Sequence, residues 1–272
     1  DGVPISSPES WKRKVALFVG GAFVLSLALA FLLEKRRNIF FTSKDLEDIL
    51  GLPLIGDIPE EYSHQPFPVN PNLQQQSTES SHLKMSGSRG ENFFFAFESL
   101  YTQLSFLYSD PPLRSLVIGS VEKGDGQSTV AVHLAHIAAT TGQRVLLVDA
   151  NLGQGQLHNC FNLQNLKGLS NLLTEQMSPH EVLQKVPEVA NLSLLTTGNA
   201  PDASDKLLWS PKMNHLMREL GNRYDLVIYD VPHFSESTGS SLIANQTDGI
   251  LMVVGLRKTP QSLTNQVVKQ LE

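Results

Sequence analysis

Gly119-Ser-Val-Glu-Lys-Gly-Asp-Gly-Gln-Ser-Thr129 is the stretch on which the fold turns. It follows the apolar run Ser115-Leu-Val-Ile118 and opens the apolar-periodic segment Thr129-Val-Ala-Val-His-Leu-Ala-His-Ile-Ala-Ala139, so it reads as strand, glycine loop and helix. A P-loop sits in that position. Gly124 and Gly126 allow backbone N–H groups to converge on an anion at a helix N-terminus, which makes Gly124, Asp125, Gly126, Gln127, Ser128 and Thr129 the candidate residues for binding the phosphates of ATP. The Ser128 hydroxyl is a candidate Mg²⁺ ligand. The lysine expected before it, which would reach the β- and γ-phosphates, is Gln127.

The 272 residues suffice for one α/β domain and an additional element. A net charge of −6, with no basic stripe interleaved with aromatics, argues against nucleic acid as a partner. The lone Cys160 excludes an internal disulfide and a cysteine-based metal cluster, suits a reducing compartment, and is expected as a small buried hydrophobe. The chain begins at Asp1 and stops in the helical-looking segment Gln261–Glu272, so a piece of a longer protein is expected.

The two basic clusters, Lys12-Arg-Lys14 and Lys35-Arg-Arg37, bracket an uncharged apolar run at 15–33. At about 1.5 Å per residue that run covers roughly 28 Å, about one bilayer hydrocarbon core, and predicts a transmembrane helix. Three basic residues on each side leave its direction open by charge alone. A nucleotide domain needs cytosolic ATP, so residues 34–272 are expected in the cytoplasm and 1–14 outside, with the helix in the plasma (inner) membrane. Residues 34–59 form a cytosolic juxtamembrane module, in which Ser43 to Leu50 reads as a capped helix closed by Gly51. Residues 60–92, rich in Ser, Gln, Asn and Pro, read as a flexible linker that sets the reach of the P-loop domain at 93–272. Phe93 to Tyr108 returns to helical spacing, with Phe93, Phe94, Phe97, Leu100, Leu104 and Leu107 on one face.

From 115 onward strands and helices alternate as in a parallel sheet flanked by helices, a P-loop NTPase-like α/β fold. Strands are predicted at Ser115–Gly119, Val145–Asp149, Leu192–Thr196, Leu226–Asp230 and Ile250–Val254, and helices at Thr129–Thr141, Leu169–Thr174, Pro179–Lys185 with Ser178 as cap, and Ser210–Leu220. Two apolar runs end in aspartate, Val145-Leu-Leu-Val-Asp149 and Leu226-Val-Ile-Tyr-Asp230. Parallel sheets bind ligands at the carboxyl ends of their strands, so Asp149 and Asp230 are the candidate catalytic residues and, with Ser128, the candidate Mg²⁺ ligands. Lys123 is expected as a solvated loop lysine, with a substitute cation as its alternative role, and His133 and His136 as helix-surface residues rather than metal ligands.

The order of Ser120…Gly124-Asp-Gly126-x-Ser128-Thr129, Val145-Leu-Leu-Val-Asp-Ala-Asn-Leu152 and Tyr224-Asp-Leu-Val-Ile-Tyr-Asp-Val-Pro232 resembles the Walker A, A′ and B motifs of bacterial tyrosine kinases. The resemblance covers nearly the whole chain, including Ser43-Lys-Asp-Leu-Glu-Asp-Ile-Leu-Gly-Leu-Pro53. It implies a polysaccharide co-polymerase controlling chain length and export of capsule, exopolysaccharide or O-antigen, a homo-oligomer, contact with polysaccharide polymerase and export machinery, and an upstream extracytoplasmic domain with a first membrane helix. The departures are Gln127 for the Walker A lysine, Asn151 for the second Walker A′ aspartate, Gly153 for an arginine, and Phe95, Glu98 and Tyr101 where the family's oligomerisation helix carries Glu-x-x-Arg-x-x-Arg. They fall in the parts that phosphoryl transfer needs. The sequence therefore predicts a degenerate, weakly active or inactive ATP-binding domain that acts through assembly. A working autokinase or ATPase and a membrane-recruited partitioning-type ATPase are the alternatives.

Overall fold

A computed structural model describes residues 8–35, 38–59, 88–187, 189–199 and 204–272, so most of the expected linker lies outside the described residues. Helix α1, Pro8–Lys35, is 28 residues long. Its described side chains, 11–29, are all exposed: Leu17, Phe18 and Leu25 are 76%, 81% and 73% exposed. Among the described residues no helix is long and apolar enough to cross a membrane, and the run at 15–33 extends into positions whose side chains lie outside the description.

Helix α2, Ser43–Leu50, begins at a reciprocal cap in which Thr42 Oγ1 accepts from Asp45 N (3.2 Å) and Asp45 Oδ2 accepts from Thr42 N (3.0 Å). It ends at Gly51, whose φ of +65° lets its N–H donate to the Glu47 carbonyl at 2.9 Å. Helix α3, Ser88–Leu107, starts inside the stretch expected to be linker. It buries Phe93, Phe97, Leu100 and Leu104 against α4, Gln127–Thr140. Phe94 is only half-buried. Leu107, expected on the buried face, is 59% exposed at the helix end.

Strands β1 (Ser115–Ser120), β2 (Val145–Asp149), β3 (Gln184–Lys185), β4 (Leu192–Leu195), β5 (Leu226–Asp230) and β6 (Gly249–Val253) form one sheet in the order β3-β4-β2-β5-β1-β6. Every pairing is parallel except β3 with β4. The sheet divides its strand side chains between two cores, as alternation across a pleat requires. Leu116, Ile118, Leu147 and Ile228 meet α3, α4 and α5 (Leu157–Cys160). Val117, Leu146, Val148 and Tyr229 meet α6 (Leu169–Thr174), α7 (Pro211–Arg223), α8 (Thr238–Ala244) and α9 (Gln261–Leu271).

Two expectations are corrected. Pro179–Lys185 is not a helix: Pro179–Glu181 makes one 3₁₀ turn, capped as expected at Ser178, and Gln184–Lys185 then pairs antiparallel with β4. The open sheet edge takes the backbone hydrogen bonds, and β-branched Val182 and Val186 are buried there. His133 is not on the surface; only 7% exposed, it stacks on Phe97 at 4.8 Å and meets Phe93 edge-on at 5.0 Å. Burial first, and the charge of His136 second, lower its pKa to about 4.

Residues 38–59 dock onto the domain. Arg257 N donates to Phe40 O (2.7 Å) and Gln261 N to Asn38 O (2.7 Å), around an isolated antiparallel bridge between Ile39 and Pro260. Phe40 is fully buried, and Ile55 and Ile58 pack against the α3–α4 core. The stretch at 60–87, read from the sequence as linker, lies outside the described residues.

Candidate nucleotide site

The glycine loop leaves β1 at Ser120 and enters α4 at Gln127. Gly124 (φ +82°) and Gly126 (φ +93°) take left-handed conformations that a Cβ would strain, and no side chain caps the helix start. Gly124, Gly126, Gln127, Ser128 and Thr129 line a cleft of about 540 Å³ together with Asp230. Asn151 and Gly153 border it too.

Asp149 and Asp230 are direct neighbours across the β2–β5 pairing, and both are buried. Asp149 accepts from Asn151 N at 3.3 Å and from Leu157 N at 3.1 Å. Its pKa is raised, first by burial and then by the negative charge of Asp230. Burial raises Asp230 as well, against the hydrogen bonds of Ser128 and Gln127 that favour its charged form. Two carboxylates so placed resist ionising together, and a divalent cation held by them would offset that resistance.

Gln127 is turned inward. Its Oε1 accepts from Ser120 Oγ, while its Nε2 donates to the Val231 carbonyl and lies 3.4 Å from Asp230 Oδ1. Both ends of the amide are thus held beneath the loop, and no formal charge stands in place of a lysine there.

Asp125, expected at the phosphates, has a side chain without solvent exposure that points to Thr259 and Lys258, because those donors satisfy a carboxylate that burial would otherwise isolate. Lys123 is exposed, as expected of a loop lysine, and donates to Gln154 Oε1 at 2.7 Å on the β2 side of the cleft. Cys160 is half-buried, packs against the α3–α4 core and also lines the cleft, and burial raises its pKa. Residues 154–157, His233 and Glu236 border the cleft without having been singled out in the sequence. Gly155 carried the one available signal: a Cβ there would lie 2.6 Å from Asp149 Oδ2, so only glycine lets this loop pass the strand-end carboxylate.

A glycine loop between strand and helix, with acidic ends on two adjacent parallel strands, defines the P-loop nucleotide-binding class. The sequence profile described as "AAA domain" matches residues 114–269. The tyrosine-protein kinase YwqD of Bacillus subtilis (strain 168) is 33% identical over 163 residues, 60% of this chain and 68% of that protein. The tyrosine-protein kinase wzc of Salmonella typhi is 26% identical over 253 residues, 92% of this chain but 35% of that protein. The tyrosine-protein kinase ptk of Acinetobacter johnsonii is 28% identical over 94% of this chain and 34% of its own length, so the chain spans about a third of these longer relatives. Among solved structures, the chimerical protein CapA2B2 superposes with a TM-score of 0.69 at 26% identity, covering 85% of this chain and 92% of that one. The BceF tyrosine kinase domain gives 0.69 at 26% identity, with coverage of 86% and 93%. The chain belongs to the bacterial tyrosine-kinase family.

Proposed function

We propose that this chain is the nucleotide-binding, membrane-anchored part of a polysaccharide co-polymerase, in which ATP–Mg²⁺ binds weakly and phosphoryl transfer is slow or absent. The observation that carries the reading is the inward-turned Gln127 above an intact acidic pair. Asp149, Asp230 and the Ser128 hydroxyl are hard oxygen donors suited to Mg²⁺. Bound there, the metal would neutralise phosphate charge. The chain's own contribution is the loop's N–H groups, which hold phosphates at the start of α4 without a cation at position 127. Charge that develops on a transferring phosphoryl group then meets only the neutral amide at that position. An interaction of that kind is worth about 3 kcal/mol, or roughly a hundredfold in rate.

The anchor in this reading is residues 15–33, with 34–272 in the cytoplasm. The bare apolar flank of α1, with basic residues at both ends, supports it. Self-association through α3 and contact with polymer-export machinery complete the proposal. Phe95, 70% exposed where the family carries charge, supports an altered α3 contact. The test is ATP–Mg²⁺ affinity and single-turnover autophosphorylation of the detergent-solubilised chain, measured side by side for wild type and Gln127→Lys. Detectable binding with little turnover, partly restored by lysine, is expected; brisk turnover by wild type establishes the active-kinase alternative.

A further inference from the structure

We infer that Lys258 and Thr259 are positioning residues for the phosphate-binding loop, acting through Asp125. The inference rests on the reading of the cleft as a polyphosphate site. Asp125 sits at the turn of the glycine loop, yet its carboxylate faces the segment after β6. Thr259 Oγ1 lies 3.0 Å from both of its oxygens, Lys258 Nζ 3.2 Å from Oδ1, and the Glu122 N–H donates to Oδ2 at 3.1 Å. Lys258 Nζ also donates to the Lys123 carbonyl at 2.8 Å. The loop is thus gripped at residues 122, 123 and 125, on both sides of the left-handed Gly124.

The grip depends on close approach. A Cβ on Gly255 would lie 2.7 Å from Asp125 Oδ1, and one on Gly124 would lie 3.1 Å from Lys258 Nζ. Thr259 is fully buried, and its N–H donates to Gly255 O at 3.0 Å, which fixes the turn that presents its hydroxyl.

Two consequences follow for an anion in the cleft. First, N–H groups held in place before the ligand arrives cost no reorganisation when it binds. Second, a buried carboxylate at the turn repels phosphates unless a cation balances it. With glutamine at 127, the ammonium bonded to the loop's own backbone is that of Lys258.

The test uses the whole chain in detergent micelles, with ADP–Mg²⁺ as the probe. Lys258→Met should weaken ADP affinity about tenfold, Lys258→Arg should stay within about twofold, and in an Asp125→Asn background Lys258→Met should change affinity by less than about twofold. A purely structural lysine would cost the same in both backgrounds, and that result overturns the inference. Amide exchange at residues 122–126 is read without nucleotide. It should speed up in Lys258→Met and Thr259→Val, return in Lys258→Arg, and remain unchanged in the central strands. Unchanged loop exchange overturns the clamp whether or not nucleotide binds, whereas absence of ADP binding by the unaltered chain overturns the reading of the cleft.

Discussion

Replacing Asp149 with asparagine should flatten the pH dependence of the domain's stability. In the register of the sheet Asp149 stands beside Asp230, and strands lie about 4.8 Å apart, so two buried charges there repel by roughly 3 kcal/mol at an effective dielectric of about 20. Both carboxyls have folded-state pKa values above their unfolded ones. Stability from their protonated forms is therefore complete below the ordinary carboxylate range and is lost as pH rises, in a window that reaches up to about 8 for Asp149. The amide introduced by Asp149→Asn cannot ionise, so the variant escapes the Asp149 share of that loss, while burial keeps the Asp230 share. That amide also cannot accept fully from both Asn151 N and Leu157 N, which costs about 1 kcal/mol at every pH. The expected pattern is a crossing: the variant is slightly less stable at pH 5 and more stable at pH 8, there by a net of about 2 kcal/mol, or roughly 4–8 °C in Tm. Millimolar Mg²⁺ should raise the wild-type Tm at pH 8 and leave the variant nearly unmoved. Thermal unfolding in a pH series, with and without Mg²⁺, measures this. Parallel curves for the two proteins would refute the repulsion.

Further outcomes concern other parts of the molecule. His133→Phe should flatten the stability loss between pH 6.5 and about 4, since only the unfolded histidine protonates in that window; a wild-type and variant difference independent of pH would refute the buried, neutral histidine. Phe40→Ala should cost about 3–5 kcal/mol in urea unfolding, because its ring is fully enclosed, and a cost below about 1 kcal/mol would mean that residues 38–42 are not docked. In intact cells, impermeant thiol reagent should reach a cysteine placed at Ser6 but not one placed at Ser80, and the reverse pattern would rule out the proposed orientation.

The parts of this fold legible in the sequence were those in which one local pattern suffices. Val145–Asp149 and Leu226–Asp230 are buried on both faces, so each reads as an unbroken apolar run, and the strand bounds match the residues. Thr42, Asp45 and Gly51 fix both ends of α2 by short-range bonds. The glycine loop and both aspartates were visible for the same reason. What stayed hidden depends on distance along the chain. Nothing near Asp125 announces Thr259, 134 residues away, and nothing near Phe40 announces Arg257. His133 lies on a helix whose apolar residues surround it, and only the aromatic face of α3 decides that an imidazole is stacked rather than solvated. The short α5, of 4 residues, carries too few turns for a period to show.

The clasp between residues 38–40 and 257–261 bears on how neighbouring copies would meet. From Lys35, the last residue of α1, only two residues intervene before Asn38 is fastened to the domain, a leash of at most about 11 Å. Were α1 helices to stand side by side in a bilayer, their domains could not drift apart by more than about two leash lengths, roughly 22 Å, about half a domain's width. Confinement of that order corresponds to an effective concentration in roughly the millimolar range. A face too weak to hold two free domains together would then suffice between tethered ones, and shortening or lengthening the leash, rather than altering the face, would tune the assembly.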